Sequence, residues 1–172
     1  MRIIARLAVM ALLSLPAAMA ANNLRIYFVD VEGGAATLIV APSGESMLVD
    51  TGNPLPDDRD AKRIYAATQQ AGLKKINYLV TTHFDGDHSG GVAALVKLIP
   101  IANFYDHGDT TEAEKPRDIQ RWEAYKAAAA TGKRTSVKPG DRIPLRGVKV
   151  DVVSSYGEVL TKPINGGGPN PL

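Results

Sequence analysis

The order in which periodicities change along the chain predicts an α/β fold. Short apolar or alternating runs, each ended by Gly or Pro, fill residues 24–50. From residue 57 to 131 helix-spaced segments alternate with short apolar runs, and a second β-rich stretch follows to residue 154. With 172 residues, 45% hydrophobic and 22% charged, the chain has the makings of one ordinary domain with a sizeable core.

The first twenty residues stand apart from that domain. Arg2 and Arg6 flank the apolar run Leu7–Leu15, and Pro16 and Ala18-Met19-Ala20 follow, which is the order of a secretory signal peptide. The run is shorter than the ~20 residues a membrane span needs. Cleavage is expected after Ala20, giving a periplasmic or secreted protein with no membrane span. The signal carries two of the 20 Lys and Arg residues and none of the 18 Asp and Glu, so the mature chain balances at 18 against 18. The whole-chain pI near 8.8 is therefore no nucleic-acid footprint. Cysteine is absent, which excludes disulfides and thiolate metal sites and leaves His, Asp and Glu as candidate ligands.

In the domain, residues 24–30, 35–41 and 46–50 read as three strands of a β-meander, with Gly33-Gly34 and Pro42-Ser43-Gly44 as turns. A helix is expected from Asp57 to a stop at Gly72, with Ile64, Ala67, Thr68 and Ala71 at helical spacing. Residues 74–82 form the next strand, 92–99 a compact helix ended by Pro100, and 101–105 another strand. After a polar loop at 106–115, the spacing predicts a helix over 116–131, burying Ile119, Trp122, Tyr125 and Ala129 and stopping at Gly132. Short strands are expected at 136–138, 142–145 and 148–154. Pro163, Gly166-Gly167-Gly168, Pro169 and Pro171 make a closing loop.

The chemistry concentrates in His83-Phe84-Asp85-Gly86-Asp87-His88, placed between the strand and the helix and holding two of the three histidines. A loop after a buried strand can turn all four polar side chains toward one point. Divalent-metal hydrolysis needs that density, because a bound ion lowers the pKa of its water and polarises the substrate oxygen. Asp87 is also a candidate general base. A calcium loop starting at Asp85 is excluded, since Val96 stands where the bidentate Glu is required. A serine-protease nucleophile segment is interrupted by His88. The plain alternative is a solvated polar loop in which Asp87 or Ser89 caps a helix. His107 is expected to be a surface or strand-end histidine rather than a substrate-side residue.

Thr82-His83-Phe84-Asp85-Gly86-Asp87-His88-Ser89-Gly90-Gly91 resembles the T-H-x-H-x-D-H-x-G-G signature of the metallo-β-lactamase-fold hydrolases, with Asp85 in place of the second histidine. That replacement is similar to the branch typified by the soluble domain of the DNA-uptake channel ComEC. Residues 28–36 and Leu48-Val49-Asp50-Thr51-Gly52 resemble that branch's opening segments, although Glu32, Gly33 and Ala35 depart from its pattern. The resemblance implies an αββα sandwich in which His83 and Asp85 bind one metal, Asp87 and His88 bind a second, and Asp50 supports the site. It implies zinc or manganese as cofactor; Asp85 makes the first site harder and favours manganese, iron or magnesium. A metal-bound hydroxide would attack a small-molecule, nucleotide or nucleic-acid phosphodiester, or a related ester.

The resemblance runs to about residue 155, and no histidine follows His107. The expectation is therefore the N-terminal half of the sandwich, first sheet plus helices, over residues 21–160, with the second half largely missing and residues 161–172 a loop or truncated end. On that basis residues 21–172 would hydrolyse a generic phosphodiester poorly or not at all. The alternative is a non-catalytic extracytoplasmic metal-binding module. Antibiotic hydrolysis is weaker still, because of Asp85.

Overall fold

A computed structural model describes residues 23–111 and 115–162 of the chain. β1 (Arg25–Phe28), β2 (Thr37–Val40) and β3 (Ser46–Val49) make the expected antiparallel meander. α1 (Arg59–Gln70) then crosses to β4 (Ile76–Val80), which runs parallel to β3. The short helix α2 (Gly86–Ser89), α3 (Val92–Leu98) and β5 (Ile101–Asp106) follow, and α4 (Pro116–Ala129) leads into β6 (Lys133–Ser136). β5 is parallel to β4, and β6 to β5, so six strands lie in chain order from β1 to β6.

One face of this sheet carries the helices. Ile64 of α1, Val92 and Leu95 of α3, and Trp122 and Tyr125 of α4 share a buried cluster with Leu38, Leu48, Ile76, Leu79 and Phe104 of the strands. Full burial of such a side chain contributes about 1.5–3 kcal/mol, so the strand ends that carry the motif are held by many such terms. Ile119, expected in this face, is 44% exposed, and Ala128 is buried instead, because the helix turns its 122, 125, 128, 129 stripe inward.

The opposite face is covered by two ribbons: β7 (Arg142–Ile143) with β8 (Val150–Asp151), and β9 (Ser154–Ser155) with β10 (Glu158–Val159). Ile143, Leu145, Met47 and Ala41 are buried there, with Val49, Tyr78, Val80, Val148, Val150 and Val152 packed around them. The expected first sheet plus helices with the second layer largely missing is therefore corrected. The alternation of Val148, Val150 and Val152 directs one side of this stretch onto the sheet, so the chain packs on both faces through to Val152.

Two boundaries also differ from expectation. The strand expected at 136–138 begins at Lys133, immediately after Gly132, where a side chain would press on the carbonyl oxygens of Ile101 and Ala102 at 2.7 and 2.8 Å. The strand expected at 148–154 is interrupted at Val152-Val153, and the chain turns again at Tyr156-Gly157, both at positive φ, to form β9 and β10. The signal segment 1–20 and the proline and glycine stretch 163–171 lie outside the described residues.

Candidate metal centre

Three loops meet at the C-terminal ends of β3 and β4. Asp50 ends β3 in a left-handed conformation, φ 60, and its carboxylate is almost wholly buried. Left-handed backbone disfavours most side chains but tolerates Asp and Asn. The turn is held by Thr51, whose N–H and hydroxyl both donate to the His88 carbonyl at 2.6 and 3.1 Å. Gly91 N–H donates to Gly52 O, Gly52 N–H to Ala35 O, and Ala35 N–H to Asp87 O. Gly34 and Gly91 are required by contact: a methyl group on either would overlap the Asp87 or the Thr51 carbonyl oxygen.

Within this frame the Asp50 carboxylate accepts from the Thr82 N–H, the Thr82 hydroxyl and His88 Nδ1, each at 2.8 Å. A carboxylate only accepts, so His88 carries its hydrogen on Nδ1. The Thr82 hydroxyl has one hydrogen and gives it to Asp50, so at 3.0 Å it can only accept from His83 Nδ1. Both imidazoles are thereby set with Nδ1 protonated and an Nε2 lone pair outward. Their rings lie 3.9 Å apart between centroids. His83 Nε2 is 3.7 Å from an oxygen of Asp85, and His88 Nε2 is 3.7 Å from an oxygen of Asp87.

The four residues singled out by the sequence thus stand as two His–Asp pairs rather than as one convergent cluster. Among the described residues no group of three or more His, Asp or Glu side chains is gathered for a metal ion. The donor chemistry of each pair nonetheless fits a divalent ion. Each offers one neutral imidazole nitrogen and one carboxylate oxygen, and the hydrogen bond on the other ring nitrogen is the usual support of a ligating histidine. The pairs are open to solvent, with side-chain exposures of 45% and 46% for His83 and Asp85 and 24% and 42% for His88 and Asp87.

The matched family model is that of the metallo-beta-lactamase superfamily, over residues 29–171. The chain belongs to the metallo-beta-lactamase superfamily. The superfamily match overturns the expectation that the resemblance ends after a first half of the fold, since it runs sixteen residues beyond 155. It describes the superfamily as a whole, and the competence-channel branch is set aside. Among curated relatives, an atrochrysone carboxyl ACP thioesterase of Cryptosporiopsis sp. (strain 8999) is 32% identical over 100 residues, covering 57% of this chain and 29% of the relative. A lactamase-like protein of Aspergillus sp. (strain MF297-2) is 33% identical over 67 residues, 39% of this chain and 20% of the relative. The chain therefore spans under a third of the length of these superfamily relatives. In fold, it is similar to MEM-A1, a subclass B3 metallo-beta-lactamase from a soil metagenome library, with TM-score 0.52, 20% identity and coverage of 78% of this chain and 52% of that one. The metallo-beta-lactamase SMB-1 gives TM-score 0.51 at 20% identity, over 73% and 48% of the two chains.

Three functional neighbours escaped sequence reading. Asp60, fully buried at the start of α1, accepts from the Asn53 N–H at 2.8 Å and from Arg59 Nε at 2.8 Å, tying the Gly52-Asn53 turn to the helix. Burial pushes its carboxyl up, but the hydrogen bonds from Arg59 and Asn53 outweigh this and hold it below the ordinary carboxylate value. Asp106, buried at the end of β5, accepts from Tyr125 Oη at 2.7 Å, from Arg134 Nε at 2.7 Å and from Gly108 N–H at 2.9 Å. Burial, and then the Asp106 charge, raise the Tyr125 phenol. Phe84, the uncharged letter of the motif, packs on Trp122, Tyr125 and His107 with centroids 4.6, 4.9 and 4.9 Å away, fixing α4 beside the motif. Helix-period reading flagged Trp122 and Tyr125 as core; the partnership with Phe84 is long-range and left no local signal.

Proposed function

We propose that the chain is an exported, metal-dependent hydrolase of an ester-class bond, a phosphodiester or a related ester, with His83, Asp85, Asp87 and His88 as its metal-holding residues. The observation that carries this reading is the Asp50–Thr82 relay, which leaves an Nε2 lone pair on each histidine beside a carboxylate. The pairs divide the four residues as the sequence resemblance does, His83 with Asp85 and His88 with Asp87. A bound zinc or manganese ion would supply Lewis acidity to the substrate oxygen and acidify a water. The chain's own contribution is orientation and proton handling. Asp50 fixes the His88 ring and Thr82 fixes the His83 ring, and the half-exposed Asp87 carboxylate serves, as the alternative to holding a metal, as the base that takes a proton from water and returns it to the leaving group. The thioesterase name of a curated relative adds thioesters to the class of bonds to be tried.

The test is hydrolysis of an acyl thioester, an aryl ester and an aryl phosphodiester by the purified chain loaded with zinc or manganese, beside the variants His83→Ala and His88→Ala. Turnover of at least one substrate, lost in both variants while circular dichroism stays native, is the expected result. Metal binding without turnover of any of them would refute hydrolysis and leave a metal-binding module. Export is tested by the mass of the protein recovered outside the cytoplasm, which should begin at Ala21.

A further inference from the structure

A cavity of about 610 Å³ lies beside the motif, lined by residues of α2 and α4. Its motif wall is Gly86, Asp87 and Gly90; its opposite wall is Arg117, Gln120 and Arg121. Those three residues fall at i, i+3 and i+4 of α4, so their side chains share one face, which carries two guanidinium groups.

Arg121 is held rigidly. It pairs with Asp118, and its Nη1 lies where a side chain on Gly86 would stand, 2.7 Å from that position. The absence of a side chain at Gly86 leaves room for the guanidinium against the motif helix. Its Nε is buried and has no hydrogen-bond partner among the described residues. Arg117 is 78% exposed and its Nε lies 3.9 Å from the same Asp118 carboxylate, which is not part of the cavity lining, so one carboxylate stands beside two guanidinium groups. Asp87 on the other wall repels an anion placed against it and so confines one to the α4 side.

We propose that this cavity is an anion-binding subsite, in which Arg117, Gln120 and Arg121 hold a phosphate or carboxylate group of the substrate while its ester bond reaches the Asp87 side of the motif. Calling the ligand a substrate rests on the hydrolase reading above; the binding of an anion does not. The volume suits a small-molecule group of that kind, and planar guanidinium donors are matched to both oxyanions.

The test therefore uses the full chain with chelator present and no metal. Inorganic phosphate and acetate are titrated separately against the arginine Nε–H signals by NMR and against the fluorescence of Trp122, the only tryptophan. One of the two should shift the Arg121 Nε–H saturably, and which one does so identifies the group as phosphate or carboxylate. Arg117→Gln should weaken that binding by about tenfold, while Arg63→Gln, on α1, should not. In the active protein, Arg117→Gln should raise KM for an anionic ester and leave KM for its neutral counterpart unchanged. No saturable shift with either anion, or equal weakening by Arg117→Gln and Arg63→Gln, would overturn the proposal. Saturable binding without any hydrolysis would overturn the hydrolase reading and leave the anion site standing.

Discussion

Replacing Asp50 by Asn should reverse the tautomers of both motif histidines. Asn keeps the size of Asp and tolerates the left-handed backbone at φ 60, so the change is confined to hydrogen bonding. One carboxylate oxygen accepts from the Thr82 N–H; the other accepts from the Thr82 hydroxyl and His88 Nδ1. The backbone N–H cannot change its role, so the Asn oxygen must face it and the NH₂ group must face the other two. His88 Nδ1 then has to accept, moving its hydrogen to Nε2. The Thr82 hydroxyl accepts from Asn and donates to His83 Nδ1, moving that hydrogen too. Three hydrogen bonds to a charged group, worth about 1.5–3 kcal/mol each, become neutral ones worth about 0.5–1.5, and a net loss of about 3–4.5 kcal/mol follows. With neither Nε2 lone pair presented, zinc affinity should fall by about 10–100-fold or more, the range for lost support of a metal ligand. Long-range ¹H–¹⁵N spectra of the imidazoles at about pH 8, above the ordinary imidazole range, report the tautomers without metal. Urea unfolding and chelator competition give the two energies. An Nδ1-protonated His88 persisting in Asp50→Asn, with unchanged zinc affinity, would refute the relay.

Gly91→Ala should destabilise by about 2 kcal/mol or more in urea unfolding, because the added methyl meets the Thr51 carbonyl, a backbone atom that cannot rotate away. Asp60→Asn should flatten the acid limb of stability. The folded carboxyl sits below its ordinary value, so its contribution is complete above the unfolded pKa and is lost as pH falls through the folded one; wild type should therefore lose stability below about pH 4 more steeply than the variant. Thermal unfolding across an acid pH series checks this, and parallel curves would count against it.

Much was legible in the letters because local rules governed it. The meander, the parallel helix–strand alternation and the motif between β4 and α3 follow from period, turn residues and apolar runs, and those patterns act over a few residues. The candidate ligands were readable too, since two histidines and two aspartates in six positions need no long-range partner to be noticed. Boundaries failed where a distant backbone intervened: β6 starts early because Gly132 lies against Ile101 and Ala102, thirty residues away in sequence. The fate of residues 142–159 also escaped local reading, because short β segments do not disclose which face of a sheet they will cover.

By itself the sequence determined the opening meander, the helix–strand alternation that follows it, the absence of cysteine and the set of side chains available to hold a metal, all of which depend on composition and near-neighbour spacing. The tertiary structure alone decided that the four side chains stand as two pairs, that Asp50 and Thr82 orient both rings, and that arginines of α4 come to lie against Gly86. The Asp50 contacts to Thr82 and His88 and the approach of Arg121 to Gly86 join residues more than thirty apart, and such contacts arise only once the buried clusters on the two sheet faces bring those elements together.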